Sequence, residues 1–268
     1  MRLAFSTLGC PAWGIEQMLG TARAQGYAGV ELRFYEGSLD LLAALAAFPG
    51  GPGAFARRCA EAGVEVPCLD SSVVLSKAET EIADGKRMID LAQQLGAPFL
   101  RVFGGAVPEG ESFASCQARA ADKLARLGAY GATRGVRVLL ETHDAFSTGE
   151  AAAGLLAAAG EDNLGVIWDV HHPHAHGEPL PRTLECIGPR TYHVHVKDGA
   201  GGKLTLLGEG EMPLRAQLTA LRDLGYRGYL SFEWEKAWVP ELEEPEVAFP
   251  HAARALKKLC AELRIELA

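Results

Sequence analysis

The sequence predicts an α/β protein of the (β/α)8 class. Three observations carry this. Short β-rich runs recur along the chain, each follows a segment of helical periodicity, and a glycine separates the two. The junctions read AQGYAGVEL, EAGVEVPCL, QLGAPFLRV, TRGVRVLLE, AAGEDNLGVIWD, CIGPRTYHVHV and DLGYRGYLSFE. Their glycines, Gly26, Gly63, Gly96, Gly135, Gly160, Gly188 and Gly225, stand where a helix stops with a left-handed residue.

The opening RLAFST is a strand with no helix ahead of it, and with the seven junction strands it makes eight. KAETEIADGKRMIDLAQQLG and SFASCQARAADKLARLGAYGATRG, ahead of the fourth and fifth strands, repeat apolar residues at three- and four-residue spacing. AAAGLLAAAG, ahead of the sixth, is a short packed helix, because alanine is the best helix former. After the eighth strand, WEKAWVPELEEPEVAFP is a long loop with a solvated acidic run, and a last helix begins near Val247. Strands alternating with helices give βαβ units and a parallel sheet. Eight units of roughly 30 residues match a closed barrel. A doubly wound open sheet is the alternative, but no G-x-G-x-x-G follows an early strand and no P-loop occurs. No linker interrupts the pattern, so residues 1–268 are expected to form a single domain.

A chain of 268 residues that is 48% hydrophobic has ample core for such a barrel. Its net charge of −8 disfavours nucleic acid and anionic membranes as partners. The six cysteines are scattered with no C-x-x-C pair, which fits a reduced cytosolic protein rather than a disulfide scaffold. MRLAFSTLGCPAW is not a signal peptide, and no apolar stretch is long enough to span a bilayer. The expected location is the cytoplasm.

In a (β/α)8 barrel the carboxyl ends of the strands face the active site, and alternation tells which residues point inward. In TYHVHVKDG, Tyr192, Val194 and Val196 pack outward, so His193, His195 and Lys197 point in. The fifth strand offers Leu139, Glu141 and His143; the sixth ends at Asp169; the eighth offers Ser231, Glu233 and Glu235. The second gives Glu31 and Arg33, the third ends at Asp70, and the fourth gives Arg101. Taken singly these residues have ordinary roles: a salt-bridged glutamate, an aspartate capping the next helix, a buried core histidine. Together, Glu141, Asp169, His195 and Glu233 end four successive strands. Like charges 4 Å apart repel by about 4 kcal/mol at an effective dielectric of 20, so either protons or a cation must sit among the carboxylates. Three oxygen donors and an imidazole suit one divalent metal ion, best Mn2+, with Mg2+, Co2+ and Zn2+ as alternatives.

The set LETHD, WDVHH, HVHVKD, LGEGE and SFEWE, in that order, resembles the xylose isomerase-like TIM-barrel superfamily. Within it the chain is similar to the sugar isomerase/epimerase branch, which includes hydroxypyruvate isomerase, D-tagatose 3-epimerase and inosose isomerase. The resemblance implies Glu141, Asp169, His195 and Glu233 as metal ligands and His172 at a substrate hydroxyl. Ketohexose epimerases carry a glutamate where this chain has Ser147 and an arginine where it has Gly201. The H-x-H-x-K-D form is closer to inosose and uncharacterised sugar isomerase members.

The implied chemistry is proton transfer beside a metal-bound carbonyl, with Glu141 and Glu233 moving the proton and Lys197 stabilising the enediolate oxygen. A salt bridge to a neighbouring carboxylate is the other role open to Lys197. Glu31, Arg101, His143, His172 and Lys197 are expected to bind substrate; Arg33 and Arg101 either grip a phosphate or carboxylate or balance Glu31 and Asp70. The partner is a small-molecule sugar, sugar phosphate or cyclitol, with no nucleic acid or membrane, and such barrels often pair as homo-oligomers. A dehydratase or lyase on the same site, similar to inosose or 3-dehydroshikimate dehydratases, is the alternative. An endonuclease IV-like nuclease is disfavoured, because strands 3 and 4 end CLDSS and RVFGG without the histidines a three-metal site needs. A non-catalytic sugar-binding subunit would not need the complete ligand set.

Overall fold

A computed structural model describes residues 1–268. Eight parallel strands alternate with helices, so the fold is the (β/α)8 class the sequence predicts. The chain forms two compact units, Met1–Pro67 with Val194–Ala268, and Cys68–His193.

In the first unit, β1 (Arg2–Ser6) pairs with β2 (Gly29–Glu31) and with β10 (Tyr229–Phe232), and β10 pairs with the end of β7 (Thr191–Val196). Alternation sorts these strands as expected. Phe5 and Phe232 pack outward against Phe249 of the last helix, α10 (Pro245–Glu262), with ring centroids 4.4 and 6.1 Å away. Trp13 meets the same ring edge-on at 5.5 Å. The opposite parity of β10 therefore carries Ser231 and then Glu233 inward, one residue past the strand end.

In the second unit the order is β3 (Cys68–Val74), β4 (Phe99–Phe103), β5 (Arg137–Glu141) and β6 (Leu164–Asp169). Cys68, Leu139 and Ile167 form its inner core, with Phe99 and Tyr192 against them. Leu139 thus fills the layer beneath Glu141, two residues on. Gly165 faces Leu139 and has to be glycine: a Cβ there would lie 2.3 Å from the Tyr192 ring. α4 (Thr80–Leu95) and α5 (Phe113–Ala132) occupy the two segments of helical spacing, and Ser112 caps α5 by accepting the Ser115 N–H at 3.2 Å.

Four details differ from the sequence reading. Gly188 has φ −47° and starts a 3-10 turn, whereas the other six junction glycines are left-handed; the Pro189 that follows lets the chain turn without that conformation. The third strand continues past Asp70 to Val74, with an irregular register between the two. The last helix starts at Pro245, which pre-sets the first-turn φ. Two three-residue strands, β8 (Asp198–Ala200) and β9 (Lys203–Thr205), form an antiparallel hairpin that no periodicity announced. The six cysteines are free, and no helix is long and apolar enough to cross a membrane.

Candidate active site

In the second unit, β4, β5 and β6 end together. Asp169 N–H donates to Thr142 Oγ1 at 3.0 Å, and Thr142 N–H donates to the Ile167 carbonyl at 3.1 Å. This stitch, absent from the sequence reading, levels Glu141 with Asp169, and their ligand atoms lie within 4.8 Å of one another. Asp169 is fully buried; one oxygen accepts the first N–H of helix α7 (His171–Ala175) at 2.8 Å and the other lies 3.6 Å from His172 Nε2. The helix-capping role and the ligand role thus fall to different oxygens of one carboxylate.

Arg101 is 2% exposed. It donates to Glu141 Oε2 at 3.0 Å and to the Ser71 carbonyl at 3.1 Å, and lies 3.6 Å from Asp70. Its balancing role is therefore on view, with Glu141 and Asp70 as the carboxylates balanced. At these strand ends the unit buries Asp70, Glu141 and Asp169 against one guanidinium, a surplus of negative charge that a cation would offset. His143, also on β5's side, stacks near Phe103 at 4.8 Å and meets the His172 ring edge-on at 4.6 Å.

In the first unit, His195 is fully buried between two carboxylates: Nε2 lies 3.0 Å from Glu31 Oε1 and Nδ1 lies 3.4 Å from Glu233 Oε1. Metal-bound imidazoles are oriented by a carboxylate on their second nitrogen. Glu31, expected at the substrate, occupies that place behind His195. Lys197 reaches Glu233 Oε2 at 2.5 Å and Glu235 Oε1 at 2.7 Å, so the salt-bridge role is realised, and the ammonium holds the Glu233 carboxylate. Glu235 is a residue whose part only the structure supplies. Arg33 is buried, and its backbone N–H donates to Thr7 Oγ1 at 2.8 Å.

Asp198, next to Lys197, organises the loop that follows. Its buried carboxylate accepts backbone N–H groups from Gly199, Gly208, Gly210 and Met212 at 2.8–3.1 Å. This explains LGEGE: Gly208 has φ +90°, and a Cβ on Gly210 would lie 2.2 Å from Asp198 Oδ1. Asp198→Ala leaves those donors without their acceptor and is expected to cost about 2–3 kcal/mol in urea unfolding, with earlier proteolysis within residues 199–212. Asp198→Asn, which keeps one carbonyl acceptor, should lose less. Equal stability of Asp198→Ala and the parent would rule out this role.

Residues 19–259 match the family described as Xylose isomerase-like TIM barrel. Fructoselysine 3-epimerase of Escherichia coli O157:H7 is 27% identical over 152 residues, 54% of this chain and 53% of that protein. Inosose isomerase of Bacillus velezensis is 27% identical over 125 residues, 42% of this chain and 45% of that one. The chain thus spans about half the length of these curated relatives. Among solved structures, L-ribulose 3-epimerase superposes with TM-score 0.82 at 18% identity, over 98% of this chain and 95% of that one. The IOLI protein, solved with a zinc atom, gives 0.80 at 20% identity over 98% of both chains. The chain belongs to the xylose isomerase-like TIM barrel family, and the relatives it matches are sugar or cyclitol epimerases and isomerases.

Proposed function

We propose that this protein is a divalent-metal-dependent isomerase or epimerase of a sugar, sugar phosphate or cyclitol. One observation carries the reading: Glu141, Asp169, His195 and Glu233 are all buried, end consecutive parallel strands, and each offers one ligand atom. Three carboxylates and an imidazole fit a divalent ion, and Glu31 behind His195 supplies the orientation that such a ligand needs. These four residues would hold the ion; Mn2+ suits the oxygen-rich set, and the zinc in the IOLI structure makes Zn2+ a second candidate.

When bound, the ion polarises a substrate carbonyl and acidifies the proton on the adjacent carbon. Glu141 and Glu233 are the two groups placed to take and return that proton. Each has one oxygen engaged by a cation, Arg101 for Glu141 and Lys197 for Glu233, which fixes the carboxylate plane and keeps it ionised. Return at the neighbouring carbon gives isomerisation; return on the opposite face gives epimerisation. Lys197 stabilises the developing enediolate charge, and His143, His172, Glu31 and Arg101 shape the substrate's surroundings.

The test is metal analysis of the purified protein followed by incubation in D2O with ketoses, sugar phosphates and inososes. The expected result is about one divalent ion per chain and deuterium at the carbon beside the carbonyl, in a product that retains all its oxygen. Loss of water from the product would assign the site to a dehydratase. A protein that takes up no divalent ion and exchanges no deuterium would overturn the proposal.

A further inference from the structure

Asp144 has φ +51°, the left-handed conformation that an aspartate occupies only at some cost. The turn it makes is local: Phe146 N–H donates to the His143 carbonyl at 2.9 Å, and Ser147 Oγ donates to the Asp144 carbonyl at 2.8 Å. Glycine would make that turn more cheaply. What glycine lacks is a carboxylate, and Asp144 Oδ1 lies 3.1 Å from His143 Nδ1. The His143 ring bonded to it holds the Asp144 carboxyl below its ordinary range. The same imidazole is wedged by Phe103 on one side and His172 on the other, at 4.8 and 4.6 Å. About a third of the His143 side chain remains exposed, so a small molecule can reach it.

We propose that Asp144 is a positioning residue that fixes His143 in the tautomer protonated at Nδ1, so that Nε2 accepts a hydrogen bond from a hydroxyl of the bound sugar. The inference deepens the functional reading above and rests on its placement of His143 at the substrate. A carboxylate on one imidazole nitrogen decides which nitrogen carries the proton and where the ring points. A strained backbone kept for the sake of a side chain is the mark of a residue chosen for chemistry rather than for the turn.

The test uses the full chain labelled with 15N-histidine. The His143 signals are assigned by their disappearance in His143→Gln. In the parent, His143 is expected as the Nδ1–H tautomer; in Asp144→Gly it should revert to Nε2–H or a mixture. Because glycine relieves the left-handed backbone, Asp144→Gly should melt at the parent temperature or above. For the sugar that exchanges deuterium, its KM should rise about tenfold with a smaller change in kcat. Asp144→Asn, whose amide oxygen still accepts from Nδ1–H, should restore the tautomer and most of the KM. A parent His143 protonated at Nε2, or an Asp144→Gly protein with unchanged KM, would overturn the inference. If no sugar exchanges deuterium, the functional reading fails, while the tautomer measurement still decides whether Asp144 governs His143.

Discussion

Glu141→Gln and Glu233→Gln are each expected to lower kcat for deuterium exchange by about 100- to 10,000-fold, the range a positioned acid–base group contributes. The amide is nearly isosteric and keeps a carbonyl oxygen, so packing against Leu139 and Phe232 is undisturbed. It cannot take a proton, and it is a weaker metal ligand than a carboxylate. Two effects are therefore mixed, and measuring metal content alongside the rate separates them. Saturating Mn2+ should refill the site in either variant without restoring kcat if the missing function is proton transfer. Melting temperatures should stay near the parent's, because each substitution removes a buried negative charge that has like-charged neighbours. If both variants turn over at the parent rate, the proton moves through other groups.

Much of this arrangement was legible in the sequence. Period-two alternation placed His195 and Lys197 on one face and Val194 and Val196 on the other, because the side-chain period of a strand is fixed by its pleat. Junction glycines marked six of the seven expected left-handed helix ends; Gly188 failed because a following proline offered another way to turn. Pairings across strands were not legible. That Arg101 holds Glu141 and Asp70, that Glu31 stands behind His195, and that Thr142 levels two strand ends all depend on side-chain reach between strands. Asp198 and LGEGE were visible as letters, but their connection through four backbone N–H groups needs the loop to close first. A pattern within one strand is local information; a hydrogen bond between loops is not.

Arg101→Met should be the most destabilising single change at these strand ends. The guanidinium is buried, touches Glu141 and lies 3.6 Å from Asp70, and both carboxylates are buried with it. Methionine fills most of the volume but leaves two buried anions without their shared cation. Breaking a buried ion pair from one side costs about 3–5 kcal/mol, because the remaining charge keeps its desolvation penalty and loses its compensation. For a chain of this size that corresponds to a fall of roughly 10 °C in Tm. Arg101→Lys keeps the charge but loses the fork that reaches Glu141 and the Ser71 carbonyl together, so its loss should be smaller yet clear. The proposed ion adds a sharper expectation. A divalent cation held by Glu141 would take over part of the compensation, so saturating Mn2+ should stabilise Arg101→Met by more degrees than it stabilises the parent. An equal shift in both proteins would mean that the ion and Arg101 do not share Glu141, and the ligand set would lose that member.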